Sequence, residues 1–425
     1  MDNRERSGKL KDIWLGGIYY IPVVFLYLLN MVSQAVRPGV IASVFMFCVL
    51  AELIIKKQIK FTGFMDALVA AWFLYNALSV IWLVRSGMPL GVYNQEFVVS
   101  LLPAIFYLAG RSCAKPDNTG KPKRRNEAAL FYRYFIYAVL ILGVVGIILQ
   151  LVMPRFYIDY SYKLNFVSSA DADTCRVRMD SVVGSTVLGF LSAVSMLVSI
   201  PFIMERKSRL FGIISMFAGF VIAFMSNQRS AMVVAILALI YFNWLLFFTY
   251  GKADKKYFAL ELLLIAAAVI ALLVFKRGEI TEVYYRLASL PGAVGERSEQ
   301  WIAAVNNMYS TWFGNGLGAN GHMAIGLEDA HVVADGGLIK SYCEQGIFGF
   351  SMFLYILILS FKKGLGNIKE YCAEVGIIAA ALLQSIGSNI LSFQLAAPIF
   401  WFAIGRIYAD ENMKMGSGAK KGGSR

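Results

Sequence analysis

A polar stretch in the second half of the sequence combines glycines, histidines and carboxylates. It contains Gly314, Gly316, Gly318 and Gly321, then both histidines of the chain, His322 and His331, together with Glu328, Asp329 and Asp335. Glycines allow tight turns and close approach of the backbone to a ligand, and imidazole and carboxylate groups can move protons. The stretch predicts a site of proton transfer, with His331 and Asp335 as candidate catalytic bases and His322 as a further candidate. A glycine-rich turn with solvated acids would give a similar pattern.

Arginines form a second group of candidates. They are Arg176, Arg178, Arg229, Arg286 and Arg297. A planar guanidinium binds phosphate oxygens through paired hydrogen bonds and keeps its charge at any relevant pH, so these residues suit a diphosphate group. Contact with lipid headgroups is the competing interpretation of each. Arg229 is the strongest candidate because it lies between two closely spaced apolar runs.

Polar residues within or near the apolar runs form a third group, which comprises Asn76, Glu344, Ser388 and Asn389. An ionisable group at membrane depth is costly and usually faces a cavity or a partner, so Glu344 is a further site candidate. If its apolar run begins later than residue 337, Glu344 lies at the membrane interface instead. No Cys or His pair has the spacing of metal ligands, so we predict neither a metal nor a cofactor.

The composition identifies the solvent in which these residues are placed. Of the 425 residues, 58% are hydrophobic and 16% charged, and the mean hydropathy of +0.61 excludes an ordinary water-soluble domain. Backbone polar groups must be paired inside lipid, so the long apolar runs predict an all-α, polytopic membrane protein with about twelve transmembrane helices. The predicted spans are 14–35, 38–55, 62–84, 93–110, 130–153, 182–204, 209–226, 230–248, 257–275, 337–361, 370–387 and 390–408. We expect the first run to be retained as a helix and the mature chain to start near Met1.

The distribution of Lys and Arg predicts the topology. Loops rich in these residues alternate with poor ones, and the rich ones are 4–11, 56–60, 111–125, 206–209, 252–256, 362–369 and the tail. By the positive-inside rule both termini are cytoplasmic. The formal charge of +13 is therefore topological, and we predict no nucleic-acid partner. We expect residues 1–415 to form one membrane domain and 416–425 to be a disordered end or a cloning remnant.

Two predicted exported loops are long, 154–181 and 276–336, and both keep cations that topology does not explain. Around them lie three short motifs. SNQRS occupies 226–230, RSEQW at 297–301 runs into WFGNGLG at 312–318, and DGGL at 335–338 leads to EQGIFG at 344–349. In these motifs and their order the sequence resembles the bacterial O-antigen polymerase and O-antigen ligase superfamily, mostly over its second half.

The resemblance implies a bacterial inner-membrane enzyme whose exported loop and flanking helices form a periplasmic cavity. There an undecaprenyl-diphosphate-linked glycan donor meets an acceptor sugar. Ligases of the family typically place His-Asn where this chain has Asp335-Gly336, and that departure favours a polymerase. His331 stands four residues before Asp335, so the two side chains share a face if the segment is helical.

The expected reaction is metal-independent glycosyl transfer between lipid-linked repeats. Arg229 and Arg297, with Arg176 or Arg178, would stabilise the departing undecaprenyl diphosphate, and His331 or Asp335 would take the hydroxyl proton. A chain-length regulator is a possible protein partner.

Two other functions remain open on the sequence. A ligase would use the same donor and transfer finished polymer to lipid A core. A transporter or flippase of lipid-linked oligosaccharide would place charged residues and broken helices at the midplane of several spans, with repeat symmetry. Because most charges lie outside the predicted spans, the sequence favours a site on the outer face. A purely structural role would leave the arginines and histidines without a purpose.

Overall fold

In the part of the chain that the structure describes, the regular secondary structure is helical. The computed structural model describes residues 14–33, 36–59, 63–113, 127–163, 178–251, 290–328 and 330–409, with 263 and 266. No strand occurs among these residues. The α-helices are α1 Leu15–Ile18, α2 Tyr20–Val32, α3 Pro38–Ile55, α4 Phe64–Leu78, α5 Val80–Arg85, α6 Leu90–Glu96, α7 Ile105–Ser112, α8 Glu127–Val152, α9 Pro154–Lys163, α10 Ser185–Met204, α11 Arg209–Met225, α12 Arg229–Trp244, α13 Leu290–Asn306, α14 Gly337–Gly366, α15 Ile368–Gly387 and α16 Ala397–Tyr408.

Eight helical segments of the described residues are long and apolar enough to cross a membrane. They are Pro38–Ile55, Phe64–Arg85, Leu90–Ser112, Glu127–Val152, Ser185–Met204, Arg229–Thr249, Gly337–Gly366 and Ile368–Gly387. Two shorter apolar helices, α2 and α11, accompany them. The prediction of an all-helical, polytopic membrane protein is therefore confirmed. The predicted span 257–275 lies outside the described residues except at 263 and 266, and the count of twelve spans stays a prediction.

Large apolar side chains cover the outside of the bundle. On α3, Val44 is 58% exposed and Phe47 is 52% exposed; on α14, Ile358 is 60% exposed. A water-soluble protein would not present such continuous apolar faces, whereas lipid solvates them well. These faces mark the lipid-contacting side of the bundle.

Helix α10 forms the centre of the bundle, packed against α8, α11, α12 and α15. Three of its buried serines, Ser192, Ser195 and Ser199, donate their hydroxyls to carbonyls of the same helix, as Ser192 does to Leu188 at 2.7 Å. Small residues allow the close approach, and Gly219 of α11 lies directly against Ser192 and Ser195. The hydrophobic effect does not drive helices together within lipid. Van der Waals contacts from such close packing therefore supply much of the attraction between the helices.

A buried ion pair joins two helices that are distant along the sequence. Asp66 of α4 accepts from Arg111 Nε of α7 at 3.0 Å and from the Tyr107 hydroxyl at 2.6 Å. Both charged side chains are at most 3% exposed. Charge placed inside a membrane bundle persists only when paired in this way.

The predicted span 390–408 is helical only from Ala397 onward. Before α16, residues 388–396 form a break that contains one short 3-10 turn, Ile390–Ser392. Polar side chains tie this break to distant segments: Asn389 Nδ2 donates to the Val333 carbonyl at 2.7 Å, and Gln394 Nε2 donates to the Gly39 carbonyl at 3.0 Å. The prediction of a continuous helix there was wrong, because hydropathy does not report such tertiary hydrogen bonds.

Candidate functional site

The glycine-rich loop is held by a break in helix α14. Gly346 has φ 60° and ψ −170° and interrupts the helix. The interruption frees backbone groups, and the loop pairs with them: Ile347 N–H donates to Thr311 at 2.9 Å, and Asn315 N–H donates to the Cys343 carbonyl at 2.8 Å. Backbone groups inside a membrane bundle must find partners, so the break and the loop complete each other.

Two glycines make this pairing possible. A Cβ on Gly346 would lie 2.5 Å from the backbone nitrogen of Gly314, and a Cβ on Gly314 would lie 2.6 Å from the backbone nitrogen of Gly346. Both positions have positive φ. No other residue type fits that conformation and that contact together. The motifs WFGNGLG and EQGIFG are therefore two sides of one backbone junction.

Helices α4 and α5 close the other side of the loop. Leu317 N–H donates to Ser79 Oγ, between the two helices, at 3.0 Å. The Tyr75 hydroxyl donates to the Gln345 carbonyl at 2.7 Å and lies 3.1 Å from the Phe313 carbonyl oxygen, an alternative acceptor of the same proton. The loop thus lies between α4, α5 and α14, and hydrogen bonds to these helices determine its position.

Below the loop lies a buried charged cluster that sequence reasoning missed apart from Glu344. Lys340 Nζ of α14 donates to Glu96 Oε1 of α6 at 2.6 Å and approaches Glu344 Oε2 at 3.1 Å. Ser392, in the break before α16, accepts from Lys340 at 3.0 Å and donates to Glu96 at 2.9 Å. The three charged side chains are 2–5% exposed. Lys340 and Glu344 stand one helical turn apart in one apolar run, a spacing that signals an ion pair.

The candidate base Asp335 is bound to the candidate phosphate ligand Arg297. Arg297 Nη2 of α13 donates to Asp335 Oδ2 at 2.8 Å, and Trp301 Nε1 donates to the Asp335 carbonyl at 2.6 Å. The Arg297 side chain is 30% exposed and the Asp335 side chain is 40% exposed. The pair is therefore positioned by α13 and open to a ligand, with further guanidinium N–H groups available.

Arg297 and the beginning of α12, where Arg229 lies, both approach Gly387 at the end of α15. Arg297 Nη1 and Ser230 Cβ lie 3.8 Å and 3.9 Å from the point that a Cβ on Gly387 would occupy. Arg229 is half-buried at the first turn of α12. The structure thus brings segments 229–230, 297 and 335 together around the end of α15.

The two histidines are placed differently from each other. Residues 331–336 are not helical, so His331 and Asp335 do not share a helical face as the spacing suggested. Two side-chain hydrogen bonds stabilise the non-helical backbone of 331–336. Asn320 Nδ2 donates to the His331 carbonyl at 2.7 Å, and Asn389 Nδ2 donates to the Val333 carbonyl at 2.7 Å. Both histidine side chains are exposed. His322 begins a 3-10 turn, His322–Ala324, that contacts α6.

Of the three other candidate arginines, the structure describes Arg178. Arg176 and Arg286 lie outside the described residues. Arg178 is half-buried, and its carbonyl accepts from the Tyr157 hydroxyl of α9 at 3.1 Å. Next to it, the buried Asp180 accepts from Ser185 N–H at 3.0 Å, and burial raises the pKa of the Asp180 carboxyl. Arg178 therefore belongs to the base of the first loop.

Exposed aromatic rings surround the junction of the loop with α14. The centroids of Trp312 and Phe348 are 5.4 Å apart, and those of Trp82 and Phe313 are 5.2 Å apart. Trp312 is 56% exposed and Phe348 46% exposed. Such rings are typical of the interface between membrane and water. The rings form an exposed aromatic patch where the loop meets α14.

The environment of His322 leads to a prediction about pH. Desolvation by the surrounding protein, helped by the nearby Lys340 ammonium, lowers the pKa of His322 from its ordinary value of 6.5. Just below pH 6.5, His322 binds a proton in the unfolded chain but stays neutral in the folded chain. The free energy of unfolding therefore falls as pH falls through that range. We expect the melting temperature of His322→Gln to decline less between about pH 7.5 and 5.5 than that of wild type. Equal declines in tryptophan-fluorescence melts of the two proteins would contradict this environment.

The chain matches no family model, and no curated protein matches it.

Proposed function

We propose that the chain is a polymerase of a bacterial surface polysaccharide such as O-antigen, acting on undecaprenyl-diphosphate-linked repeats. The observation that carries the proposal is the convergence of all three family-like motifs on one region. The loop motif pairs with EQGIFG across the Gly346 break, and Arg297 joins Asp335 beside Ser230. Segments far apart in sequence meet in this region. Exposed aromatic rings lie there, and such rings are typical of the interface between membrane and water.

The topology is part of the proposal. Lys and Arg in short loops put both termini in the cytoplasm of an inner-membrane protein with about twelve spans. The glycine-rich loop and the Arg297–Asp335 pair then face the periplasm. A lipid-linked diphosphate lies at that surface, with its sugar in water and its chain in lipid, which suits a site at the membrane interface.

In the proposed reaction an acceptor sugar hydroxyl attacks the anomeric carbon of the donor glycan. The bond from that carbon to the diphosphate oxygen breaks, and undecaprenyl diphosphate leaves. Arg297 and Arg229 stabilise the negative charge on the leaving diphosphate. Asp335 accepts the hydroxyl proton. Its ion pair with Arg297, with 2.8 Å between Arg297 Nη2 and Asp335 Oδ2, positions the carboxylate. His331 or His322 is the substitute base if Asp335 serves only to orient Arg297.

The test is complementation of a strain that lacks this gene, with surface polysaccharide separated as a ladder on a gel. We expect the deletion to leave single repeats on the lipid A core. Arg297→Gln, Asp335→Asn and the double variant should each fail to restore longer chains, with expression verified by blot. Asp159→Asn, an exposed carboxylate on α9, is the matched control and should restore the ladder.

The double variant separates catalysis from structure. If Arg297 and Asp335 only neutralise each other, removing both charges should restore polymer, because no unpaired charge is left. If each contacts substrate, the double variant stays inactive. Polymer that accumulates on its lipid carrier in the deletion strain would instead identify a ligase.

A transporter of lipid-linked oligosaccharide is the second candidate, and two observations favour it. Buried charges lie within the spanning helices, including Asp66, Arg111, Glu96 and Lys340, and α14 is broken at Gly346. Both features are typical of transport proteins. In that case the deletion strain should carry bare core without any repeat, because no repeat would reach the outer face.

A further inference from the structure

An open groove lies where the ends of α14 and α16 meet the beginning of α4. Its volume is about 530 Å³, within the range of roughly 300–1,000 Å³ that is usual for small-molecule sites. Phe64 of α4 lines it together with Leu359, Lys362 and Lys363 of α14 and Tyr408 of α16. The groove therefore combines apolar, aromatic and cationic side chains from three helices.

The groove lies at the end of α14 that is remote from the glycine-rich loop. The loop pairs with α14 at Gly346. From Ile347 to Lys362 the helix continues without a second interruption and rises about 22 Å at about 1.5 Å per residue. That rise is most of the roughly 30 Å thickness of the hydrocarbon core, and α14 is one of the segments long and apolar enough to cross a membrane. The groove and the candidate functional site therefore lie toward opposite ends of this helix.

Cationic side chains form one part of the groove. Lys362 is exposed and Lys363 is half-buried, and Lys363 Nζ lies 4.1 Å from the centre of the Tyr408 ring. None of the described residues that line the groove is acidic. The nearest acid along α4, Asp66, is paired with Arg111 inside the bundle. This part of the groove attracts an anion.

The apolar part of the groove continues onto the lipid-contacting side of α14. Phe64 is 65% exposed, and its ring packs edge-on against Tyr355 with the centroids 6.0 Å apart. Tyr355 and Ile358 are exposed on the helix turns that precede the lysines. An occupant therefore meets positive charge at one end and an apolar surface at the other. A free phosphate ion gains nothing from that apolar surface, whereas a phospholipid gains from both.

We propose that the groove binds an anionic phospholipid of the surrounding bilayer. Its phosphate contacts Lys362 and Lys363, and the first carbons of an acyl chain lie against Phe64 and Leu359. Basic pockets between transmembrane helices recognise acidic headgroups in this way. A zwitterionic lipid carries a positive charge beside its phosphate, so the two lysines favour an anionic one. The proposal does not rest on the polymerase function.

The test uses the purified full-length protein in a nonionic detergent, with thermal unfolding followed by tryptophan fluorescence. Dioleoylphosphatidylglycerol is added in steps, and dioleoylphosphatidylcholine, with the same acyl chains, is the reference lipid. Because a ligand that binds only the folded state raises the melting temperature, we expect a saturable rise that phosphatidylcholine does not reproduce. Sodium phosphate at the same ionic strength should give no rise, because it does not contact the apolar surface.

Charge variants locate the effect. Lys362→Met and Lys363→Met should each raise the half-saturating amount of phosphatidylglycerol about fivefold, and the double variant should respond to the two lipids alike. Lys369→Met is the matched control. Lys369 is exposed at the beginning of α15 and is not part of the groove lining, so this variant loses the same charge and should respond like wild type.

A second variant fills the groove and leaves both lysines in place. Gly366 also lines the groove and has open space where a Cβ would lie. Gly366→Phe places a ring in that space and should abolish the rise as well.

Four outcomes would overturn the proposal. An equal rise with both lipids would show solvation by lipid in general, and a rise with sodium phosphate alone would show a site for a free anion. A rise that persists in the double lysine variant or in Gly366→Phe would place the lipid elsewhere. An equal loss in Lys369→Met would show attraction to the whole charged surface.

Discussion

Replacing Lys340 with methionine is expected to destabilise the protein by about 3–5 kcal/mol, the cost of leaving a buried charge without its partner. Lys340 is the ammonium shared by Glu96 at 2.6 Å and Glu344 at 3.1 Å. Methionine keeps much of the side-chain volume, so the loss is electrostatic and not a cavity. The measurement is the melting temperature of the purified variant at fixed pH and salt.

A second substitution identifies the cause. Glu96→Gln in the Lys340→Met background removes one of the two carboxylates left without a counter-charge, so part of the lost stability should return. The contact between the side chains makes the two substitutions non-additive. If Lys340→Met alone melts like wild type, the buried cluster does not contribute to stability in the way its geometry indicates.

Replacing Gly346 with alanine is expected to release the glycine-rich loop from α14 and to reduce polymer formation more than tenfold. The backbone conformation at Gly346, φ 60° and ψ −170°, is nearly restricted to glycine, and another residue there costs about 1–3 kcal/mol in strain alone. The added methyl group would also collide with the Trp312 carbonyl. Limited proteolysis between residues 308 and 336, combined with the gel ladder, measures both effects.

The same helix provides a control for this substitution. Gly366 at the end of α14 has open space where a Cβ would lie, so Gly366→Ala should leave the ladder and the protease resistance unchanged. A Gly346→Ala variant with normal chain length and normal resistance would show that the backbone junction is not needed for activity.

Hydrophobicity determined most of what could be predicted about the architecture. The long apolar runs predicted helices at α3, α8, α10 and α12 with small errors at their ends, because each run must satisfy its own backbone hydrogen bonds in lipid. The prediction was wrong at residues 390–396, where a run that is apolar on average lies in a break between two helices. Polar side chains there bond to segments elsewhere in the chain, and an average over neighbouring residues does not detect such partners.

The candidate site divides in the same way. Arg297, Asp335 and Glu344 were recognisable as costly or reactive residue types near the exported loop, but their pairing was not. Arg297 was expected to bind phosphate and Asp335 to act as a base, and the structure joins them in one ion pair. Lys340 and Glu96 were not predicted as site residues, although the four-residue spacing of Lys340 and Glu344 is typical of an ion pair on a helix.

The sequence by itself determined the solvent, the helical class and the residue types available for chemistry, because these follow from local composition and from the rule that backbone groups be paired in lipid. Only the tertiary structure decided which charges meet. Lys340 and Glu96 are separated by 244 positions, and the loop meets α14 only because Gly346 breaks the helix. A charge inside a membrane is stable only beside its partner, and the identity of that partner depends on how the helices pack.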